Sequence, residues 1–140
     1  MTNSLSGRCL CGGVTITLDS FDGHVGACHC GMCRRWSGGP SLTVNGGKTM
    51  HISGEAHLRR FRSSDWAERA FCERCGSSLF YRLLATGEHF VWAGLFEALP
   101  GAVFESQIFI DRKPDWYEFA NATENLTEAE VFAKYAPPGG

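Results

Sequence analysis

The chain has 140 residues, a formal net charge of −2, 44% hydrophobic residues and 20% charged ones. This suits one globular domain with a modest core and gives no global attraction to nucleic acid or to an anionic membrane. No stretch approaches the ~20 apolar residues needed to span a bilayer, and the opening MTNSLSGRCLCGG lacks the basic, apolar and small-residue sections of a signal peptide, so a cytoplasmic protein without membrane or nucleic-acid partners is expected.

Alternation at period two dominates the chain. Residues 14–19 (VTITLD), 40–45 (PSLTVN) and 48–53 (KTMHIS) read as strands. The last two flank Asn45, Gly46 and Gly47, whose glycines tolerate positive φ, so a tight hairpin is expected there. A short turn of helix fits residues 32–36. Residues 78–83 (SLFYRL), 89–95 (HFVWAGL) and 106–110 (SQIFI) add strands rich in aromatic and β-branched residues. Near the C-terminus, Thr127 and Glu130 make a capping box for a helix whose apolar face is Val131, Phe132 and Tyr135. No linker, low-complexity run or fixed-period repeat interrupts residues 1–140, which read as a single, mainly β domain with a short C-terminal helix.

Seven cysteines carry the chemistry. In a reducing cytosol, clustered cysteines are metal ligands or redox groups more often than structural staples, and an odd number cannot pair completely within one chain. They fall into three groups: Cys9 and Cys11, then Cys28, Cys30 and Cys33, then Cys72 and Cys75. In an extended segment residues i and i+2 share a face, so Cys9 and Cys11 can aim both sulfurs at one point, as can Cys28 and Cys30. A CxxC followed by Gly76 suits a knuckle whose backbone N–H groups point at the thiolates. The simplest division joins Cys9, Cys11, Cys72 and Cys75 in one closed, structural four-thiolate zinc site. Cys28, Cys30 and Cys33 are left to hold a second zinc with its fourth position open, the pattern of a catalytic site.

Three thiolates leave such a centre formally −1 and weaken it as a Lewis acid, so it suits another thiolate better than water. Arg34 and Arg35 could offset the charge and attract a carboxylated substrate, or be a solvated surface pair. Trp36 is read as core in preference to a substrate platform. His29 lies between two ligands that share a face and is not counted as a ligand. Other readings of the cysteines are a redox dithiol, which lacks a thioredoxin-like βαβ setting, an iron site, whose usual spacings differ, and a nucleobase deaminase, whose H-x-E and P-C-x-x-C signature is missing.

The segments GRCLCGGV, GACHCGMCRRWSGG and FCERCGSSLFYR together resemble the glutathione-dependent formaldehyde-activating enzyme family, which includes centromere protein V. The likeness runs from Gly7 to about Arg82 and continues weakly through IFIDRKPDWYEF, which is similar to the family's closing strand. The resemblance implies a β-tent of stacked antiparallel sheets with two zinc sites. By motif, Cys9, Cys11, Cys72 and Cys75 are similar to the structural ligands, and Cys28, Cys30 and Cys33 to those of the exposed catalytic zinc. The reaction it implies is that of a carbon–sulfur lyase, joining glutathione to formaldehyde as S-hydroxymethylglutathione, with a small thiol such as glutathione as partner. The alternatives are a zinc-stabilised binding module without turnover, and metal storage or redox sensing through the three cysteines. Arg59, Arg60 and Arg62, alternating along a strand, are a thin basis for nucleic-acid binding.

Overall fold

The structure is a computed structural model that describes residues 5–135. Eleven strands form two sheets. The smaller sheet is antiparallel and made of β1 (Leu5–Arg8), β2 (Thr15–Leu18) and β5 (His51–Ser53), in the order β1-β2-β5. The larger contains β3 (His24–Cys28), β4 (Ser41–Gly47), β6 (Leu58–Arg62), β7 (Ala67–Cys72), β8 (Ser78–Leu83), β9 (His89–Trp92), β10 (Val103–Ile108) and β11 (Glu124–Leu126). Its order is β11-β10-β3-β4-β9-β8-β7-β6. From β3 to β6 every pairing is antiparallel, while β10 lies parallel to both β3 and β11. Helix α1 (Gly31–Ser37) follows β3, and α2 (Glu128–Tyr135) ends the described chain.

Register decides which side of the large sheet each residue faces. Directly paired residues share a face, and Val25, Val44, Val91, Phe80 and Ala70 form one such row across five strands. This row meets Ile16 and Leu18 of the smaller sheet and Val14 just before β2, and together they make much of the core. Phe80, Ile16 and Leu18 are wholly buried, as the alternating apolar residues of two facing sheets should be. Leu79 is buried beside Phe80 because the pairing of β7 with β8 skips it: Ala70 faces Phe80 and Phe71 faces Ser78. Such a bulge lets two successive side chains serve one core.

A second irregularity corrects the expected hairpin. Asn45, Gly46 and Gly47 do not join two neighbouring strands; they lie at the end of β4, which pairs with β3 and β9, whereas β5 pairs with β2 in the other sheet. The register of β4 against β9 shifts between Asn45 and Gly47. A Cβ on Gly46 would lie 2.9 Å from Val91 Cγ2 and 3.2 Å from Leu18 Cδ2. The glycine therefore serves a bulge pressed against the core, not a turn.

Other expectations hold closely. The strand expected at residues 78–83 is β8, and the turn of helix at residues 32–36 lies within α1. The capping box forms as expected: Glu130 N–H donates to Thr127 Oγ1 at 3.2 Å and Thr127 N–H donates to Glu130 Oε1 at 2.9 Å. Val131 is buried and Phe132 is exposed, while the Tyr135 side chain lies outside the described residues. The segment IFIDRKPDWYEF is not a closing strand. Only Ile108 belongs to β10; Phe109 takes a left-handed backbone (φ 54) and a 3₁₀ turn, Ile110–Arg112, follows. Among the described residues no helix is long and apolar enough to cross a membrane.

Candidate metal centres

All seven cysteines are free thiols, and the fold gathers them into two groups, Cys9, Cys11, Cys72 and Cys75, and Cys28, Cys30 and Cys33, with the sulfurs of each group within 4.8 Å of one another. This is the four-and-three division read from spacing. The structure places each group close enough to hold a metal ion.

The four-cysteine group joins two turns with similar construction. Cys9 follows β1, and Gly12 N–H donates to Cys9 C=O at 3.0 Å with Gly12 at φ 78. Cys72 ends β7, and Gly76 N–H donates to Cys72 C=O at 2.7 Å with Gly76 also at φ 78. The left-handed glycine ends each turn without strain. Cys9 and Cys11 thus converge through a turn, where the sequence reading had placed an extended segment. Ser77 ties the two turns together: its Oγ accepts from Leu10 N–H at 3.1 Å and lies 3.2 Å from Cys75 Sγ.

The sulfur geometry suits a tetrahedral ion. Metal–sulfur bonds of ~2.3 Å at tetrahedral angles separate sulfurs by about 3.8 Å; Cys9 and Cys11 stand 3.6 Å apart, and Cys11 and Cys72 3.7 Å. These distances are far too long for a disulfide. Backbone donors already face the sulfurs, with Val14 N–H on Cys9 at 3.3 Å and Gly13 N–H on Cys11 at 3.4 Å. The Ser77 hydroxyl, the Ser77 N–H and the Cys11 N–H draw the Cys75 thiol down to about 5. That setting favours the Cys75 thiolate, the form that binds metal, whereas, against the pull of the Gly13 N–H, desolvation and the neighbouring sulfurs push Cys11 up to about 11.

The three-cysteine group lies on the opposite face of the large sheet. Cys28 is the last residue of β3, Cys30 caps α1 by accepting from Cys33 N–H at 3.3 Å, and Cys33 sits in the first turn of that helix. The chain is extended at Cys30 (φ −64, ψ 158), so Cys28 and Cys30 share a side and His29 turns to the other, as expected. His29 is fully buried and both ring nitrogens are occupied. Nε2–H donates to Gln107 Oε1 and Nδ1 accepts from Tyr117 O–H, each at 2.8 Å. Gln107 is oriented in turn by donating to Thr123 Oγ1 at 2.9 Å. The neutral ring is the stable form there, because burial holds His29 below its ordinary value. This network fixes the peptide between two candidate ligands.

Arg34 and Arg35 brace the loop rather than facing the sulfurs: Arg34 Nε donates to the His29 carbonyl at 3.0 Å and Arg35 to the Gly31 carbonyl at 3.2 Å. Trp36 is not part of the core expected of it: half-buried, it stacks on the exposed Phe61 and meets Phe71 edge-on, on the Arg69 side of the large sheet. The cation that does meet the sulfurs is Arg69 of β7, whose two terminal nitrogens lie 3.7 and 3.6 Å from Cys33 Sγ. No sequence spacing pointed to it. Hydrogen bonds from Cys28 and Cys30, then the Arg69 charge and the Ser41 hydroxyl, draw Cys33 far below the ordinary thiol value, whereas Cys30 and Cys33 push Cys28 far above it. The Arg69 guanidinium beside Cys33 favours negative charge in this group of sulfurs.

Comparisons with known proteins give the chain relatives. The family model described as "Glutathione-dependent formaldehyde-activating enzyme" matches residues 4–112, a span that contains all seven cysteines but not Tyr117. A Schizosaccharomyces pombe protein named as an uncharacterized lyase is 32% identical over 126 residues, covering 89% of this chain and 92% of its own. A Halomonas elongata protein named "Putative glutathione-dependent formaldehyde-activating enzyme" is 27% identical over 142 residues, covering 94% and 88%. A Rhodobacter sphaeroides crystal structure shares the fold at TM-score 0.59 and 22% identity, covering 68% of this chain and 90% of its own. With the family model matching most of its length, the chain belongs to the glutathione-dependent formaldehyde-activating enzyme family.

Proposed function

We propose that this protein is a zinc-dependent carbon–sulfur lyase that joins a small thiol, such as glutathione, to formaldehyde. Cys9, Cys11, Cys72 and Cys75 would hold a structural zinc, and Cys28, Cys30 and Cys33 a second zinc at the reaction site. The observation that carries this reading is the separate group of three convergent sulfurs, one ligand short of a closed tetrahedral site. When bound there, zinc supplies the Lewis acidity that keeps a fourth sulfur deprotonated near neutral pH while leaving it nucleophilic.

The reaction balances without a further reagent. The thiol sulfur forms a bond to the formaldehyde carbon, the carbonyl π pair moves to oxygen, and the proton lost from sulfur ends on that oxygen as the hydroxymethyl group. The chain's own part is to converge the three sulfurs and to hold the loop through His29 and Arg34. Seven free thiols agree with a cytoplasmic setting, and residues 1–140 are taken as one domain.

The test is the formaldehyde-dependent loss of free glutathione thiol. The parent should exceed the spontaneous rate, and Cys28→Ser should fall back to it with the four-sulfur site still filled. A protein with both centres filled that never exceeds the spontaneous rate would be a zinc-stabilised binding module instead.

A further inference from the structure

Arg69 is 1% exposed, whereas every other arginine of the chain reaches solvent at least in part. A buried guanidinium is costly unless negative charge meets it. Among the described residues no carboxylate is paired with it. Its Nε donates to Ser63 Oγ at 3.2 Å, and both terminal nitrogens donate to Cys33 Sγ. Tyr81 and Trp36 cover the guanidinium, with ring centroids 5.0 and 5.9 Å away, so the planar cation is held in place on a surface that suits it. The anion that meets this buried charge is the sulfur of the three-cysteine group.

The charge count follows from the ligands. Three thiolates about a divalent cation sum to −1, and Arg69 brings the assembly to zero. A fourth ligand that is itself an anion then approaches a neutral centre, where without Arg69 it would approach a like charge in a partly desolvated site. Two N–H donors on one sulfur also draw electron density from Cys33, leaving a bound metal more electrophilic toward its fourth partner. Arg34 and Arg35 do not make this contact: the Arg34 Nε donates to the His29 carbonyl and one terminal Arg35 nitrogen to the Gly31 carbonyl.

The structure assigns Arg69 the role of fixed counter-charge to the three-cysteine centre, a positioning residue that favours an anionic thiolate over a neutral ligand at the fourth position. The assignment rests on the metal reading of that centre.

The test uses the full chain loaded with cobalt, titrated with glutathione and, separately, with imidazole, while the visible bands are followed. Arg69→Gln should keep two metal ions per chain and lose about tenfold in glutathione affinity, the scale of a charge-assisted hydrogen bond, with imidazole affinity unchanged. Arg69→Lys, which keeps the charge without the fork, should recover part of the loss. Ser63→Ala frees Nε while sparing the buried charge, so it can be read even if Arg69→Gln does not fold; it should cost about threefold, again for glutathione alone. Equal losses for both ligands, or none for glutathione, would overturn the assignment while leaving the metal reading intact. A parent that binds only one metal ion would overturn both.

Discussion

Cys75→Ala removes one sulfur from the group that ties residues 9 and 11 to residues 72 and 75. Cys11 and Cys72 are 61 positions apart, so a metal ion held by both turns closes a loop of that length. Loop-closure entropy for such a cross-link is about 4 kcal/mol at 25 °C, lost in full when the incomplete site releases its ion. That is a large part of the 5–15 kcal/mol that stabilises an ordinary domain. With a urea m-value of ~2 kcal/mol/M, the unfolding midpoint should fall by about 2 M, and the melting temperature by on the order of 10 °C. The control is Cys28→Ala, since Cys28 and Cys33 are only five positions apart and their cross-link constrains little chain. Urea unfolding of parent and both variants, zinc-loaded and monitored by tryptophan fluorescence and circular dichroism, reads the difference. If Cys75→Ala unfolds at the same midpoint as Cys28→Ala, the closed site is not a staple and the loop argument fails.

Gly54→Ala should be severely destabilising, by more than 3 kcal/mol on the scale of the largest single-residue effects, because its Cβ would lie 1.9 Å from the Gly13 carbonyl oxygen at a backbone φ of +87; a parent-like melting curve would refute this. Thr127→Ala should cost about 1 kcal/mol through loss of the α2 cap, read as a small, cooperative drop in urea midpoint. His89 bears on pH: burial, against the pull of the Gly47 carbonyl, holds it below its ordinary 6.5. The unfolded chain therefore takes up this proton first, so the stabilisation is present above about pH 6.5 and is lost as pH falls below it. His89→Asn should flatten that acid-side decline, and an unchanged slope between about pH 7.5 and about pH 5.5 would refute the assignment.

The parts of this fold legible in the sequence are those governed by local periodicity. SLFYRL became β8 residue for residue, and Thr127 with Glu130 capped α2, because neither depends on a distant partner. The expected hairpin at Asn45 failed since a glycine marks positive φ and close approach alike; which one applies is set by Leu18 and Val91, far away in the chain. The cysteine grouping was legible for a different reason: closely spaced thiols are rare, and four plus three satisfies the coordination arithmetic. Cys9 and Cys11 were nevertheless expected on an extended segment and lie on a turn, because either geometry can converge two sulfurs. Arg69 was not legible. Its contact with Cys33 crosses 36 positions and exists only once α1 has docked on the large sheet.

Strand β7 joins the two centres and makes their dependence unequal. Successive side chains of a strand point to opposite faces. Arg69 accordingly reaches Cys33 on one side of the sheet, while Ala70 lies in the core and Cys72 enters the four-cysteine group on the other. Losing the four-sulfur site should loosen the end of β7, and with it the register that holds Arg69 against Cys33. Losing the three-sulfur site should leave β7 largely undisturbed, because Cys28, Cys30 and Cys33 belong to the local β3–α1 turn. Metal counting by chelator titration should therefore be asymmetric. Cys28→Ala should retain one tightly held ion, whereas Cys75→Ala should lose the ion of the four-sulfur site and hold the other less tightly, although the three cysteines of the second site are untouched. The cobalt bands of whatever ion Cys75→Ala retains should also differ from those of the parent's three-sulfur centre, as its counter-charge shifts. A Cys75→Ala protein that keeps one ion with the affinity and spectrum of that centre would show that the two sites are independent and that β7 transmits nothing between them.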